Sequence, residues 1–189
     1  PVVPWAGGEV NSPNGGRVNV GRHGGTWAAS VAYSQPWLRT VAYGDAGGVS
    51  NGTVSLTWTA GGGLTTQTVV VGVSTDGGKT WTNQVAAGVP ATNGAVDWTV
   101  ADLPDTPAAL WRVTCESDTN VWSQTTNFFA IRNGPLNLYV ATPDTNEAVY
   151  VAGPGKADNW TATSNAPLNS LRTAFERFDL EPGDQIWVD

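Results

Sequence analysis

Val54-Ser55-Leu56-Thr57-Trp58-Thr59 alternates large apolar side chains with small hydroxylated ones. The period is two, so Val54, Leu56 and Trp58 share one face of an extended strand and the other face is left to water. Thr68–Val73 is a second such run, rich in β-branched residues. It leads into Ser74-Thr75-Asp76-Gly77-Gly78-Lys79-Thr80-Trp81, where Asp-Gly-Gly between two strands signals a hairpin turn. Downstream, Trp81–Ala86, Ala95–Val100, Ala109–Cys115 and Asn127–Arg132 read as further strands, each bounded by Pro, Gly, Asn or Asp. Short strands at regular spacing, with no helix between them, predict an all-β fold, an antiparallel β-sandwich over residues 46–133. Upstream, residues 1–45 hold a Pro/Gly/Asn-rich lead-in and the strand-like runs Arg17–Val20, Thr26–Tyr33 and Leu38–Tyr43. They form a segment with no assigned role.

The last third, residues 134–189, changes character. Leu136–Ala141 and Ala148–Ala152 read as strands. Leu168, Leu171, Ala174, Phe175 and Phe178 then recur at steps of three and four, the apolar face of a helix over about 166–178. Asn165 is the expected N-cap, and Pro167 sits in the first turn, where its missing N–H costs little. Pro182-Gly183-Asp184 reads as a turn and Gln185–Val188 as a last strand, with Trp187 packed on the helix.

Composition narrows the function. Only 13% of residues are charged, and Lys79 and Lys156 are the only lysines. That argues against a solvated cytosolic enzyme and suits strands and tight turns. The net charge is −7 with no basic patch, which excludes nucleic acid and direct attraction to an anionic membrane as partners. No apolar run approaches the roughly 20 residues of a membrane span. Cys115 is the only cysteine, so no internal disulfide forms and no cysteine-rich zinc site exists. The start at Pro1-Val2-Val3-Pro4 and the lack of methionine suggest a segment of a longer, secreted polypeptide.

Val54–Trp58, Val73–Trp81, Val96–Val100, Trp111–Val113 and Phe128–Ile131 together resemble the bacterial immunoglobulin-like or fibronectin type III-like sandwich modules of large secreted proteins. Leu138-Tyr139-Val140, the helix, and Pro182–Val188 resemble the opening, capped segment of right-handed parallel β-helix proteins. The second resemblance implies a first coil. One coil leaves a sheet edge and apolar area uncovered, to be completed by further coils or by a strand from another subunit.

Ser74–Trp81 also fits the Asp-box pattern known from sialidases and related propellers, where it is not catalytic. Its mechanical reading is a structural turn: Asp76 bonds back to the turn backbone, Gly77 and Gly78 take positive φ, and Trp81 packs beneath. His23 is the only histidine, and no nucleophile-elbow sequence accompanies it. Asp144, Asn146 and Glu147 form an oxygen-rich loop suited to Ca²⁺, the one cofactor these residues suggest. A solvated acidic loop is the simpler reading. Of ten tryptophans, Trp58, Trp81, Trp98 and Trp111 are expected in core or turn packing. Trp27, Tyr33 and Trp37 cluster in the unassigned segment and are the candidate glycan-binding surface.

These readings imply a non-catalytic structural or interaction module of an extracellular or cell-surface protein, not an enzyme. It fits a subunit of a filament or surface assembly completed by strand addition, with other copies of itself or flanking modules as partners. The alternatives are an accessory region of a polysaccharide-degrading β-helix enzyme and a tryptophan-based carbohydrate-binding module.

Overall fold

The structure, a computed structural model, describes residues 35–41, 52–100, 103–143 and 148–189. The expected strands Arg17–Val20 and Thr26–Tyr33 lie outside the described residues. In chain order the elements are β1 (Trp37–Thr40), β2 (Gly52–Gly61), β3 (Thr68–Ser74), β4 (Asn83–Pro90) and β5 (Ala95–Val100). They continue with β6 (Thr106–Cys115), β7 (Trp122–Gln124), β8 (Phe129–Ile131), β9 (Asn137–Val140), α1 (Leu171–Arg177) and β10 (Gln185–Val188). The described fold is all-β apart from that one short helix.

β1, β2 and β5 form one antiparallel sheet, in the order β1-β2-β5. β4, β3, β6 and β7 form a second, with β8 also paired to β6. The period-two alternation sets what each sheet buries. Leu56, Trp58, Trp98 and Val100 from the first sheet and Val69, Val71, Val73, Trp111, Val113 and Cys115 from the second join one apolar cluster. Each such side chain contributes about 1.5–3 kcal/mol when fully buried.

β6 does more than line this core. Every residue from Thr106 to Trp111 is buried, on both faces of the strand. Ala109 and Trp111 point into the first cluster, whereas Ala108 and Leu110 point out of the opposite face. There they meet Phe128 and Ala130, and Leu136, Leu138, Val140, Ala162, Leu168, Ala174 and Phe178 from the C-terminal segment, in a second cluster. A strand covered on both sides reads as a continuous apolar run rather than an alternation.

The C-terminal segment is a coil built around β9. β10 lies parallel to β9 on one side. On the other, Leu168 N–H donates to Tyr139 O and Ala141 N–H donates to Leu168 O, 2.9 Å each. Lys156 in turn bridges Leu168 in parallel. The coil is fastened to the sheets by a nearly buried ion pair, Arg132 Nη1 to Asp184 Oδ1 at 3.1 Å, with the side chains 12% and 4% exposed. Asp184 also accepts from the amides of Leu136 and Glu181, and Arg132 Nη2 donates to Asp179 O.

Several expectations need correction. Ala148–Ala152 is not a strand: the amides of Val149, Tyr150 and Val151 all donate to the Asp189 carboxylate, and amides so engaged cannot join a ladder. The helix is shorter than 166–178 and its N-cap is Ser170, whose Oγ accepts from Thr173 N–H, not Asn165. Pro167 and Leu168 are held extended because Pro167 O accepts from Lys156 N–H and Leu168 pairs with β9. The apolar face is split: Ala174 and Phe178 are buried, while Leu171 and Phe175 face outward, Phe175 at 62% exposure. β4 starts at Asn83 rather than Trp81, because the Trp81 indole folds back to donate to Gly78 O. β7 was not expected. Its signal is the Asp118-Thr119-Asn120 turn, closed by Val121 N–H donating to Asp118 O.

Candidate functional site: the outer edge of the C-terminal coil

The sequence-derived candidates come first. Trp27, Tyr33, His23 and the Ca²⁺ candidates Asp144, Asn146 and Glu147 lie outside the described residues. Trp37 opens β1, half-buried, its indole set against the backbone of Gly61, where a Cβ would come within 2.5 Å of the ring. Among the described residues no group of three or more His, Cys, Asp or Glu side chains converges to hold a metal. Nor is any described helix long and apolar enough to cross a membrane.

The Ser74–Trp81 turn is fully wired. Ser74 Oγ donates to Asp76 Oδ1 at 2.7 Å and accepts from Gly78 N–H at 2.9 Å. Asp76 accepts from both the amide and the hydroxyl of Thr80. Burial pushes the Asp76 carboxyl up, but the bonds from Thr80 and Ser74 outweigh it and hold the group below its ordinary value. Gly77 and Gly78 have φ of 72° and 88°, in the left-handed region that favours glycine. Gly77 has a second role, because a Cβ there would lie 2.3 Å from Trp160 Cδ1. Trp160 thus seats the coil on the turn tip, flanked by Phe128 at 5.3 Å and by the Lys79–Asp158 ion pair. Trp160 is half-buried and packs against the second cluster. Behind the turn, the Arg112 guanidinium stacks on Trp81 at 4.2 Å and reaches toward the exposed Trp122 at 5.9 Å.

One open cleft, of about 450 Å³, lies between Asn127–Phe128 and the end of α1 at Glu176–Asp179. Phe128 and Phe178 are buried beneath it, and Arg177 stacks over Phe128 and Trp160. The cleft offers no open aromatic platform.

β10 is one of the described strands that pair on one side only, as β1, β4 and β5 also do. Its pairing with β9 puts like opposite like: Asn137 with Gln185, Leu138 with Ile186, Tyr139 with Trp187, and Val140 with Val188. On its other side no described strand pairs with it. The amides of Gln185 and Asp189 donate to Leu136 O and Val140 O of the β9 side. Alternation then turns the amides and carbonyls of Ile186 and Val188 outward. Exposure rises across the same step: Val140 is 4% exposed and Val188, directly beside it, 51%. Trp187 does not pack on the helix. It lies on the opposite face from Ile186, its ring 5.0 Å from Tyr150 and its Nε1 3.4 Å from Asn137 Oδ1. Tyr150 and Val149, 77% exposed, extend this apolar rim. The Asp189 carboxylate holds them there. Burial raises that carboxyl, but the three amides it accepts from prevail and keep it below its ordinary value.

The sequence matches no protein-family model, and a search of curated proteins found no significant relative.

Proposed function

We propose that the chain is a non-catalytic junction module of an extracellular or cell-surface protein. In this reading a β-sandwich of the immunoglobulin or fibronectin type III kind is joined stiffly to the first coil of a parallel β-helix, and the coil's edge is completed by strand addition. The observation that carries it is the two-sided burial of β6, which makes one strand a wall of both apolar clusters. The coil cannot swing away without exposing Leu110 and Phe128 and separating Arg132 from Asp184. A module so built transmits orientation instead of hinging. The low charge, the hydroxyl-rich strands and the lone buried Cys115 suit a location outside the cell.

Expressing residues 136–189 alone tests the reading. That fragment lacks Ala108, Leu110, Phe128 and Ala130, so it should be unfolded or aggregated, with amides exchanging at random-coil rates. A monomeric fragment with a cooperative melt would show that the coil owns its core, and the junction reading would fall.

A further inference from the structure

The coil covers the outer face of the second sheet only in part. Leu110 of β6 lies beneath it, and at Arg112, the next residue on that face, the cover ends. Arg112 stands in one register row with Gln84 of β4, Gly72 of β3 and Gln124 of β7. Val71 and Val113, adjoining that row, are buried in the first cluster, so the row itself faces outward. The guanidinium stacks on Trp81 at 4.2 Å and lies 5.9 Å from Trp122, which is 48% exposed. Stacking takes up its faces and leaves its N–H edge open. Among the described residues no carboxylate pairs with that edge: partial burial holds Arg112 below its ordinary value, with no negative charge to offset it. Glu116, just beyond β6, is engaged by Thr68 and Gly88, and Lys79 and Asp158 engage each other.

Gly72 adds an independent observation. It lies on a strand paired on both sides, where glycine weakens the ladder and packs nothing. Its φ is outside the left-handed region, and a Cβ there would meet only Asn83 O, at an ordinary 3.6 Å. The bulge beside it falls on β4, between Gln84 and Ala86. Neither strain nor crowding therefore calls for glycine. Its missing side chain keeps the floor beside Arg112 low, as where a strand glycine lets a ligand approach.

We infer that this face binds a carboxylated sugar of a glycan. Arg112 donates to the carboxylate, Trp122 supports the ring, and Gln84 and Gln124 meet the hydroxyls above Gly72. A planar guanidinium edge matches a carboxylate with two parallel bonds. The C–H face of a sugar ring is apolar and lies flat on an exposed indole. Amide side chains both donate and accept, as the hydroxyls of a sugar do. A low floor flanked by amides suits a hydroxylated ring better than an acidic peptide. This site is separate from Trp27, Tyr33 and Trp37. It goes beyond the junction reading and does not depend on it.

The probe is an oligosaccharide of glucuronic acid, titrated into the full chain. Its methyl ester and an oligo-glutamate peptide are the controls. Nuclear magnetic resonance follows the Trp122 indole N–H and the Arg112 side chain. The expected result is saturable binding at about 1 mM or tighter, with shifts centred on those two residues. The ester, which removes the charge and keeps the rings, should bind about tenfold more weakly or worse. Gly72→Val separates a binding face from a mere brace. It leaves Trp81, Arg112 and Trp122 in place and suits a strand better than glycine, so the melting temperature should hold or rise. The raised floor should still weaken binding about tenfold or more, by keeping the ring off the guanidinium edge. Trp122→Ala, which removes an exposed ring, should weaken binding to a similar degree and serves if valine disturbs the sheet. No saturation up to about 10 mM, or equal binding of the ester, would overturn the inference. So would a folded Gly72→Val or Trp122→Ala chain that binds as before. Equal or tighter binding of oligo-glutamate would overturn it too, by making the site a peptide contact. None of these outcomes touches the excision test, so this site can fail while the junction module stands.

Discussion

The two sheets and the C-terminal coil satisfy the same backbone in different ways. In the sheets, antiparallel ladders pair strand with strand, and the first cluster is filled almost wholly by their own alternating side chains. In the coil, one parallel pair and a few isolated bridges are supplemented by side-chain acceptors. Asp184 takes the amides of Leu136 and Glu181, Asp189 those of Val149–Val151, and Asn159 Nδ2 donates to Pro167 O. The second cluster borrows part of its wall from β6 and β8. The dependence therefore runs one way: the coil needs the sheets, and the sheets' main core does not contain the coil.

That asymmetry predicts a nested series of losses. Trp111→Ala empties a fully buried site in the shared strand and should cost about 4 kcal/mol. Denaturant melts should shift together whether followed by sheet or coil probes. A coil signal that survives after the sheets have melted would reverse the dependence. Asp184→Ala strands Arg132 and two amides, a loss of about 3 kcal/mol. Exchange should speed at Leu136, Glu181 and along β10 while β3 and β6 stay protected. Uniform acceleration would mean that coil and sheets open only as one. The smallest effect is at Asp189. Its carboxyl is held below its unfolded value near 4, so the folded state binds fewer protons there than the unfolded one. Its contribution is complete above that value and is lost as pH falls through the folded value. Protection factors at Val149, Tyr150 and Val151 should drop between about pH 5 and about pH 2, and Asp189→Asn should flatten the drop. A drop that persists in the variant would assign it to another group.

The same contrast explains what was legible beforehand. β2, β3 and β5 could be read because neighbouring residues alternate in burial, and period two is written in contiguous residues. The coil could not, because its fastenings join Asp189 to Val149 across 40 residues and Arg132 to Asp184 across 52. No local pattern encodes an amide bound by so distant a carboxylate, so Ala148–Ala152 read as a strand. The helical spacing of Leu168–Phe178 was real, yet Leu168 was claimed by β9 first. At the candidate edge, Gln185–Val188 was readable as a strand. Its likeness to Asn137–Val140 is visible in the letters, but it means something only once the two are known to lie side by side. Part of the sequence-derived binding surface, Trp27 and Tyr33, lies outside the described residues. Trp37 is occupied with Gly61.

β6 carries one more consequence. On an ordinary half-wet strand, slipping by one residue trades a dry face for a wet one. Between Ala108 and Trp111 there is no wet face to trade. A single-residue insertion or deletion here would swap the small-large order of both walls at once, driving Trp111 into the space made for Leu110 and leaving a hole where the indole had been. This is the stretch of chain where alignment errors, whether in folding or in engineering, should be least forgiven.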